Sequence, residues 1–207
     1  MVNEINNELC CYCGVREATT RDHVPPKSIF NRPRPSDLIT VPCCFQCNNE
    51  ASKYDERFKV YLGLHVSSGG DKEAERLFRE GVIPTVQHNK KLNNGVRANM
   101  FSLQTSTNEN AKAIRWDNEA HNITIERITK GLFFHHYEKI IPSDISIQTY
   151  WFKEDQLRNV DDKLYSNVIA NGAFEYRYNK AHGLAFDSIW LFTFYGKHFA
   201  GGIIKAQ

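Results

Sequence analysis

The sequence predicts an α+β protein with a small N-terminal metal-binding module and a larger C-terminal domain made of an antiparallel sheet and helices. All six cysteines lie within the first 47 of 207 residues, whereas aromatic and β-branched residues, which favour strands, dominate the chain after about residue 96. We expect the module to span residues 1–66, a helical connector to span residues 67–95 and the C-terminal domain to span residues 96–207.

The helices and strands of the two later segments follow from the spacing of apolar residues. Three apolar residues at helical intervals predict a helix over 71–80, which Gly81 and Pro84 are expected to end. A second apolar stripe predicts a helix over 123–137. Strands are expected at 150–152, 188–195 and 198–205.

The composition is that of a globular protein, because 41% of the residues are hydrophobic, 24% are charged and the formal net charge is +2. No apolar run approaches the roughly 18 residues that span a membrane, and the polar N-terminus does not resemble a secretory signal. We therefore expect a cytoplasmic protein without a membrane partner. The net charge neither requires nor excludes a nucleic-acid partner, so local charge has to decide that question.

Two cysteine pairs with the spacing of zinc knuckles frame the N-terminal module. The pairs are Cys10 with Cys13 and Cys44 with Cys47. Four thiolates satisfy a tetrahedral structural zinc site, and a short module with few large apolar residues needs such a stabilising ion. Cys11 and Cys43 break the spacing and are expected to take no part, although another choice of four thiols from the six stays open.

An Asp-His pair lies between the two knuckles, and an asparagine directly follows the last cysteine. The order Cys-x-x-Cys, Asp22-His23, Cys-x-x-Cys-Asn48 resembles the four-cysteine branch of the HNH endonuclease family over about residues 10–58. The resemblance implies a ββα-metal (treble-clef) core and metal-dependent hydrolysis of phosphodiester bonds. It carries no residue role into the C-terminal domain.

The residues of this motif also suit the chemistry when each is considered by itself. Phosphodiester hydrolysis needs an activated water and a cation that stabilises developing charge. His23 is the expected general base because much of its side chain is neutral near pH 7. Asp22 and Asn48 supply oxygen ligands for a second divalent ion, Mg²⁺ or a similar cation. Asn48 could instead cap the final helix, since asparagine is a favoured N-cap residue.

Asp37 stands where the HNH family has a central asparagine that holds the catalytic histidine. We expect Asp37 to accept a hydrogen bond from the ring of His23, fix its tautomer and raise its pKa. Asn31 is a second candidate for this role, at a less suitable spacing. Asp55 and Glu56, further along the final helix, are expected to be solvated helix charges.

Basic residues around the motif predict contacts with phosphate groups. Lys27, Arg32 and Arg34 lie in a proline-rich stretch without acidic residues, and Lys53 follows on the final helix. An ordinary solvated loop is the alternative interpretation. No base-reading motif is visible, so we expect little sequence specificity from the module.

The favoured hypothesis is a metal-dependent endonuclease that cuts nucleic acid, DNA above RNA, with structural Zn²⁺ and a catalytic divalent ion. The first alternative is a non-catalytic, zinc-stapled module that binds nucleic acid or protein. The second alternative is a metal-thiolate scaffold whose activity resides in residues 96–207. That C-terminal domain could also form a homodimer.

Overall fold

The N-terminal part of the protein consists of two short strands followed by one long helix. The computed structural model describes residues 8–157 and 163–206. Strands β1 (Thr20–Val24) and β2 (Ile39–Cys43) pair in antiparallel register, and helix α1 (Phe45–Val66) follows directly. Cys44 caps this helix, since its Sγ accepts a hydrogen bond from the backbone N–H of Cys47 at 3.4 Å.

A run of short helical segments follows α1. These segments are α2 (Lys72–Arg76), a π-helical segment (Leu77–Val82), α3 (Ile83–His88) and α4 (Lys90–Ala98). The prediction that Gly81 and Pro84 end the helix is therefore wrong, because helical backbone continues to His88. Pro84 lies in the first turn of α3, where the missing N–H removes no helical hydrogen bond.

The C-terminal part contains a hairpin, a central helix and a five-stranded antiparallel sheet, so the α+β class is confirmed. The hairpin pairs β3 (Met100–Gln104) with β4 (Asn110–Ile114), and the central helix is α5 (Asn118–Tyr137). The sheet has the order β5-β9-β8-β7-β6, and a short helix α6 (Glu154–Leu157) follows β5. Its strands are β5 (Ser146–Phe152), β6 (Tyr165–Ile169), β7 (Phe174–Lys180), β8 (Ser188–Phe194) and β9 (His198–Lys205). The predicted central helix and the three predicted strands are confirmed.

Helix α5 packs between the N-terminal strands and the five-stranded sheet. Two glycines allow this close packing. A Cβ at Gly131 would lie 2.6 Å from Val24 Cγ2, and a Cβ at Gly202 of β9 would overlap Thr129. One apolar core includes Val24 of the N-terminal part and Phe192 of the sheet, so both parts contribute to the same core.

Within the described ranges, no helix combines the length and the apolarity that crossing a membrane requires.

Three histidines, of which two are buried, lie where α1, α5 and β9 meet. His198 is fully buried, and its ring centroid lies 5.3 Å from that of His121 and 5.4 Å from that of His65. Neither ring nitrogen of His198 has a hydrogen-bond partner among the described residues. Burial lowers the pKa of His198 well below its usual range, and the neighbouring histidines lower it further. The folded protein therefore holds this ring neutral.

Acid should destabilise the protein through His198. The unfolded chain binds a proton at this ring more tightly, so stability is complete above the ordinary histidine pKa and falls as the pH drops below it. If the ring stays neutral in the folded protein, the free energy of unfolding is lower by about 1.4 kcal/mol at pH 5.5 than at pH 7.5. Urea unfolding of the wild type and of His198→Phe at both pH values measures this effect. A pH dependence as steep in the variant as in the wild type would contradict it.

Candidate functional site

The four cysteines of the two knuckles converge on one point. Their four Sγ atoms all lie within 4.8 Å of one another, which confirms the predicted grouping of Cys10, Cys13, Cys44 and Cys47. The first knuckle is closed by a hydrogen bond from Gly14 N–H to Cys10 O at 2.8 Å, and Gly14 has the positive φ of +65° that favours glycine. Four thiols at this separation could hold a metal ion such as zinc. Cys11 and Cys43 are buried outside the group.

Arg16 supports the thiol group in a way that the sequence did not indicate. Its guanidinium donates hydrogen bonds to Cys44 Sγ at 3.2 Å and to Cys47 Sγ at 3.3 Å. Burial alone would raise the pKa of the Cys44 thiol, but the bonds from Arg16 and from the Cys47 N–H lower it to about 6. A thiolate at neutral pH is the form that binds a metal ion. Arg16 also offsets part of the negative charge of a four-thiolate site.

Loss of one knuckle thiol should release the metal and destabilise the protein. We expect about one zinc ion per chain in the wild type and almost none in Cys44→Ser, together with a lower melting temperature. Cys11→Ser is the matched control, because this thiol lies outside the group and its loss should leave the zinc content unchanged. Elemental analysis and thermal unfolding measure both quantities. Equal zinc loss in the two variants would reject this assignment of ligands.

Beside the thiol group, β1 and α1 enclose an open cleft of about 310 Å³. Three residues predicted to share a catalytic site, Asp22, His23 and Asn48, all line it. The remaining lining residues are Arg21, Pro26, Lys27, Ser28, Ser52, Asp55, Glu56 and Lys59. The fold therefore brings these three of the four predicted catalytic residues to one surface.

His23 lines this cleft from the fourth of the five residues of β1, where it pairs with Thr40 of β2. Burial and the positive charge of Lys27 lower the pKa of His23, and the negative charge of Asp22 opposes this shift. The imidazole is therefore neutral at pH 7 and can accept a proton.

The carboxylate of Asp22 joins the cleft to helix α5. Its Oδ2 accepts hydrogen bonds from Tyr12 OH at 2.9 Å and from Arg127 Nη2 at 2.7 Å, while its Oδ1 accepts from the His23 N–H at 2.9 Å. The side chains of Asp22 and Arg127 are only 14% and 15% exposed. Asp22 thus positions the strand that carries His23, besides lining the cleft.

Asn48 is not the N-cap residue of helix α1, which was the alternative role considered for it. It does not cap α1, because Cys44 occupies that position and Asn48 lies in the first turn of the helix. Asn48 Nδ2 donates a hydrogen bond to Thr20 Oγ1 at 3.1 Å. This bond orients the amide of Asn48.

Asp55 is the clearest functional candidate that the sequence analysis missed. The expectation of a solvated helix charge is wrong, because Asp55 lines the cleft and its Oδ1 is buried without a hydrogen-bond partner among the described residues. Burial raises the pKa of Asp55 to about 7; the positive charge of Arg127 opposes this shift, and Asp22 adds to it. The helical spacing of Asn48, Ser52 and Asp55 was an available signal, since such residues share one helix face.

The expected partner of the His23 ring is not found. Asp37 Oδ2 instead accepts a hydrogen bond from Ala170 N–H at 2.9 Å, so its carboxylate supports the turn before β7. Asn31 donates to Glu73 O at 2.8 Å and to Glu73 Oε2 at 2.9 Å. The orienting role predicted for Asp37, and the alternative role for Asn31, are therefore wrong. The loop between β1 and β2 is directed toward α2 and the sheet, which draws both side chains away from the His23 ring.

The predicted phosphate-binding residues are distributed over three surfaces. Lys27 lines the cleft, whereas Lys53 lines an adjacent groove and lies over the ring of Tyr54, 4.6 Å from its centroid. Arg34 lines a separate cavity of about 610 Å³. The backbone oxygen of Arg32 accepts a hydrogen bond from Arg76. Only Lys27 among these four residues lines the same cleft as His23.

The chain was compared with protein-family models, with curated proteins and with solved structures, and none of the three comparisons gives a match.

Proposed function

We propose that this protein is a metal-dependent endonuclease of the HNH type that hydrolyses phosphodiester bonds of nucleic acid. The observation that carries the proposal is the cleft that the imidazole of His23 lines together with the oxygen donors Asp22, Asn48 and Asp55. An uncharged base beside oxygen ligands for a hard cation is what hydrolysis of a phosphodiester requires.

The local architecture supports the resemblance to the HNH family. His23 lies on the first of two antiparallel strands, and the following helix α1 begins at the second cysteine pair and carries Asn48. We propose that these two strands and this helix form the ββα-metal core that the resemblance implies. In the proposal, zinc on the four thiolates holds the two strands and the start of α1 together, and a separate divalent ion serves the chemistry.

His23 and Lys27 have defined tasks in the proposed reaction. His23 accepts a proton from water while the water oxygen forms a bond to phosphorus. The bond from phosphorus to the leaving oxygen then breaks, and that oxygen takes a proton from solvent. Lys27, on the same cleft, offsets the charge of the phosphate group.

Oxygen donors suited to Mg²⁺ or a similar ion lie on both sides of this cleft. Asp55 Oδ1 is buried without a hydrogen-bond partner among the described residues, Asn48 adds an amide oxygen, and Asp22 adds a carboxylate. Bound there, such an ion would stabilise the negative charge that develops on the phosphate. Asp55 replaces Asp37 as the fourth residue of the proposed site.

One observation favours the alternative of a non-catalytic zinc module that binds nucleic acid or protein. Both oxygens of Asp22 already accept hydrogen bonds from the protein, from Tyr12, from Arg127 and from the backbone of His23. Under this alternative Asp22 only fastens β1 to α5, and the protein binds its partner without cutting it.

Cleavage of supercoiled plasmid DNA tests the proposed activity. The wild type should nick the plasmid in the presence of Mg²⁺ or Mn²⁺, and His23→Ala should lower the rate by about 10²- to 10⁴-fold, because a general base is lost. His182→Ala is the matched control, since this exposed histidine is remote in sequence from the cleft and does not line it. Absence of metal-dependent cleavage, or full activity of His23→Ala, would eliminate the endonuclease proposal.

Asp55 should determine the affinity for the divalent ion. Asp55→Asn should raise the Mg²⁺ concentration at half-maximal cleavage by about ten- to a hundredfold, because a charged oxygen ligand becomes neutral. Glu50→Gln removes the same charge from an exposed position of the same helix and should leave the metal dependence unchanged. Titration of cleavage with Mg²⁺ measures both. An unaltered titration for Asp55→Asn would mean that Asp55 is no ligand.

A further inference from the structure

The segment from α3 to the residue before Asp117 has a net positive charge, whereas the rest of the chain has a net negative charge. Residues 83–116 contain five basic residues and one acidic residue, a net charge of +4, whereas the whole chain has a net charge of +2. The remaining residues therefore sum to −2. The five basic side chains are all exposed and are those of Lys90, Lys91, Arg97, Lys112 and Arg115.

These five cations differ from many others in the protein because they lack acidic partners. On the neighbouring helices, Arg57 pairs with Asp117 at 2.7 Å and Arg76 pairs with Glu80 at 2.9 Å. Lys130 pairs with Glu126 at 2.6 Å. Within residues 8–157 and 163–206, none of the five cations of the 83–116 segment forms an ion pair with a carboxylate. Uncompensated charge of one sign favours a partner of the opposite sign.

The hairpin of β3 and β4 projects from this basic segment. Every residue of β3 is exposed, including Met100, Phe101 and Leu103. The two strands contact each other and make few contacts with other elements. A two-stranded ribbon is only marginally stable on its own in water. Such an exposed ribbon with apolar side chains suits insertion into a partner.

Helix α4 connects the basic segment to the cleft. Asn89 Nδ2 donates a hydrogen bond to Glu56 Oε2 at 2.8 Å, and Asn99 Nδ2 donates one to Tyr61 OH at 2.8 Å. These bonds hold both ends of α4 against α1. A groove of about 330 Å³ lies between the two helices, and Glu56 lines both this groove and the cleft of His23. A strand bound in the cleft could therefore continue along the groove to α4.

We propose that helix α4 and the hairpin β3–β4 form an arm that binds double-stranded DNA. Lys90, Lys91 and Arg97 contact the phosphate backbone, and the ribbon enters the major groove. The major groove of B-form DNA is about 12 Å wide and admits a two-stranded ribbon, whereas the deep, narrow major groove of A-form RNA does not. This inference rests on the proposed function and specifies its substrate as duplex DNA.

Binding is tested in a chain that cannot cut, so that affinity is measured apart from cleavage. Fluorescence anisotropy of His23→Ala with a short labelled DNA duplex, the RNA duplex of the same sequence and single-stranded DNA gives the three affinities over a series of salt concentrations. We expect the DNA duplex to bind most tightly. Equal or tighter binding of the RNA duplex, or of the single strand, would overturn the proposal.

Two variants of the His23→Ala chain assign the binding to the arm. Changing Lys90, Lys91 and Arg97 to alanine should lower the slope of log affinity against log salt by about three, because each cation releases about one counterion. Replacing residues 101–113 with a short Gly-Ser linker should abolish the preference for DNA over RNA duplex. Unchanged binding in either variant would overturn the part assigned to that element. Circular dichroism and zinc content verify that both variants are folded.

The matched control removes three exposed lysines from other surfaces. Alanine at Lys139, Lys153 and Lys205 changes the net charge by the same amount and should leave both affinity and salt dependence nearly unchanged. If this control lost as much affinity as the variant of the arm, the loss would be due to net charge alone, and the proposed arm would be overturned. Tight binding of DNA by His23→Ala without any plasmid cleavage by the wild type would refute the nuclease and keep the arm. Plasmid cleavage that is unchanged by the substitutions in the arm would support the nuclease and refute the arm.

Discussion

The ion pair between Asp22 and Arg127 is the interaction on which the position of the candidate site depends. The sheet of β1 and β2 has only two strands, so it needs the support of another element. A partly buried ion pair is favourable only if its remaining hydrogen bonds are satisfied, and Tyr12 and the His23 N–H satisfy those of the carboxylate. Arg127 also lies over the Tyr12 ring at 3.9 Å. The strand bearing His23 is thereby attached to α5.

This attachment also shapes the electrostatics of the cleft. Two carboxyl groups, Asp22 and Asp55, outnumber the single guanidinium of Arg127 near them; Arg127 pairs with Asp22, and burial together with the charge of Asp22 raises the pKa of Asp55 to about 7. A divalent cation would remove that imbalance, whereas Lys27 on the same cleft suits a phosphate. The carboxyl groups favour a cation and Lys27 favours an anion. Together they suit a phosphate substrate that binds to a metal ion.

The elements that could be predicted from the sequence are those encoded by local spacing. The two Cys-x-x-Cys pairs follow from the cysteine spacing, the helix predicted over 123–137 follows from its apolar stripe, and the last strand at 198–205 follows from the turn signal at Gly196. Arg16 and Arg127 could not be predicted, because each meets its partner through folding of distant segments. The same reason explains the failure at Asp37, whose partner Ala170 lies 133 residues away. The helical spacing of Asp55 from Asn48 could have predicted its position on the cleft, but its burial could not be predicted from the sequence.

The close approach of Gly131 to Val24 limits how the sequence can change. A methyl group at position 131 would lie 2.6 Å from Val24 Cγ2 and 3.3 Å from Tyr12 OH. Val24 is the residue after His23, so even alanine would push the strand outward from α5. Hydrolysis is sensitive to displacements of about 1 Å in the reacting groups. Gly131 therefore sets the distance between helix α5 and strand β1. A substitution at this position, far from the motif in the sequence, would misalign the imidazole of His23.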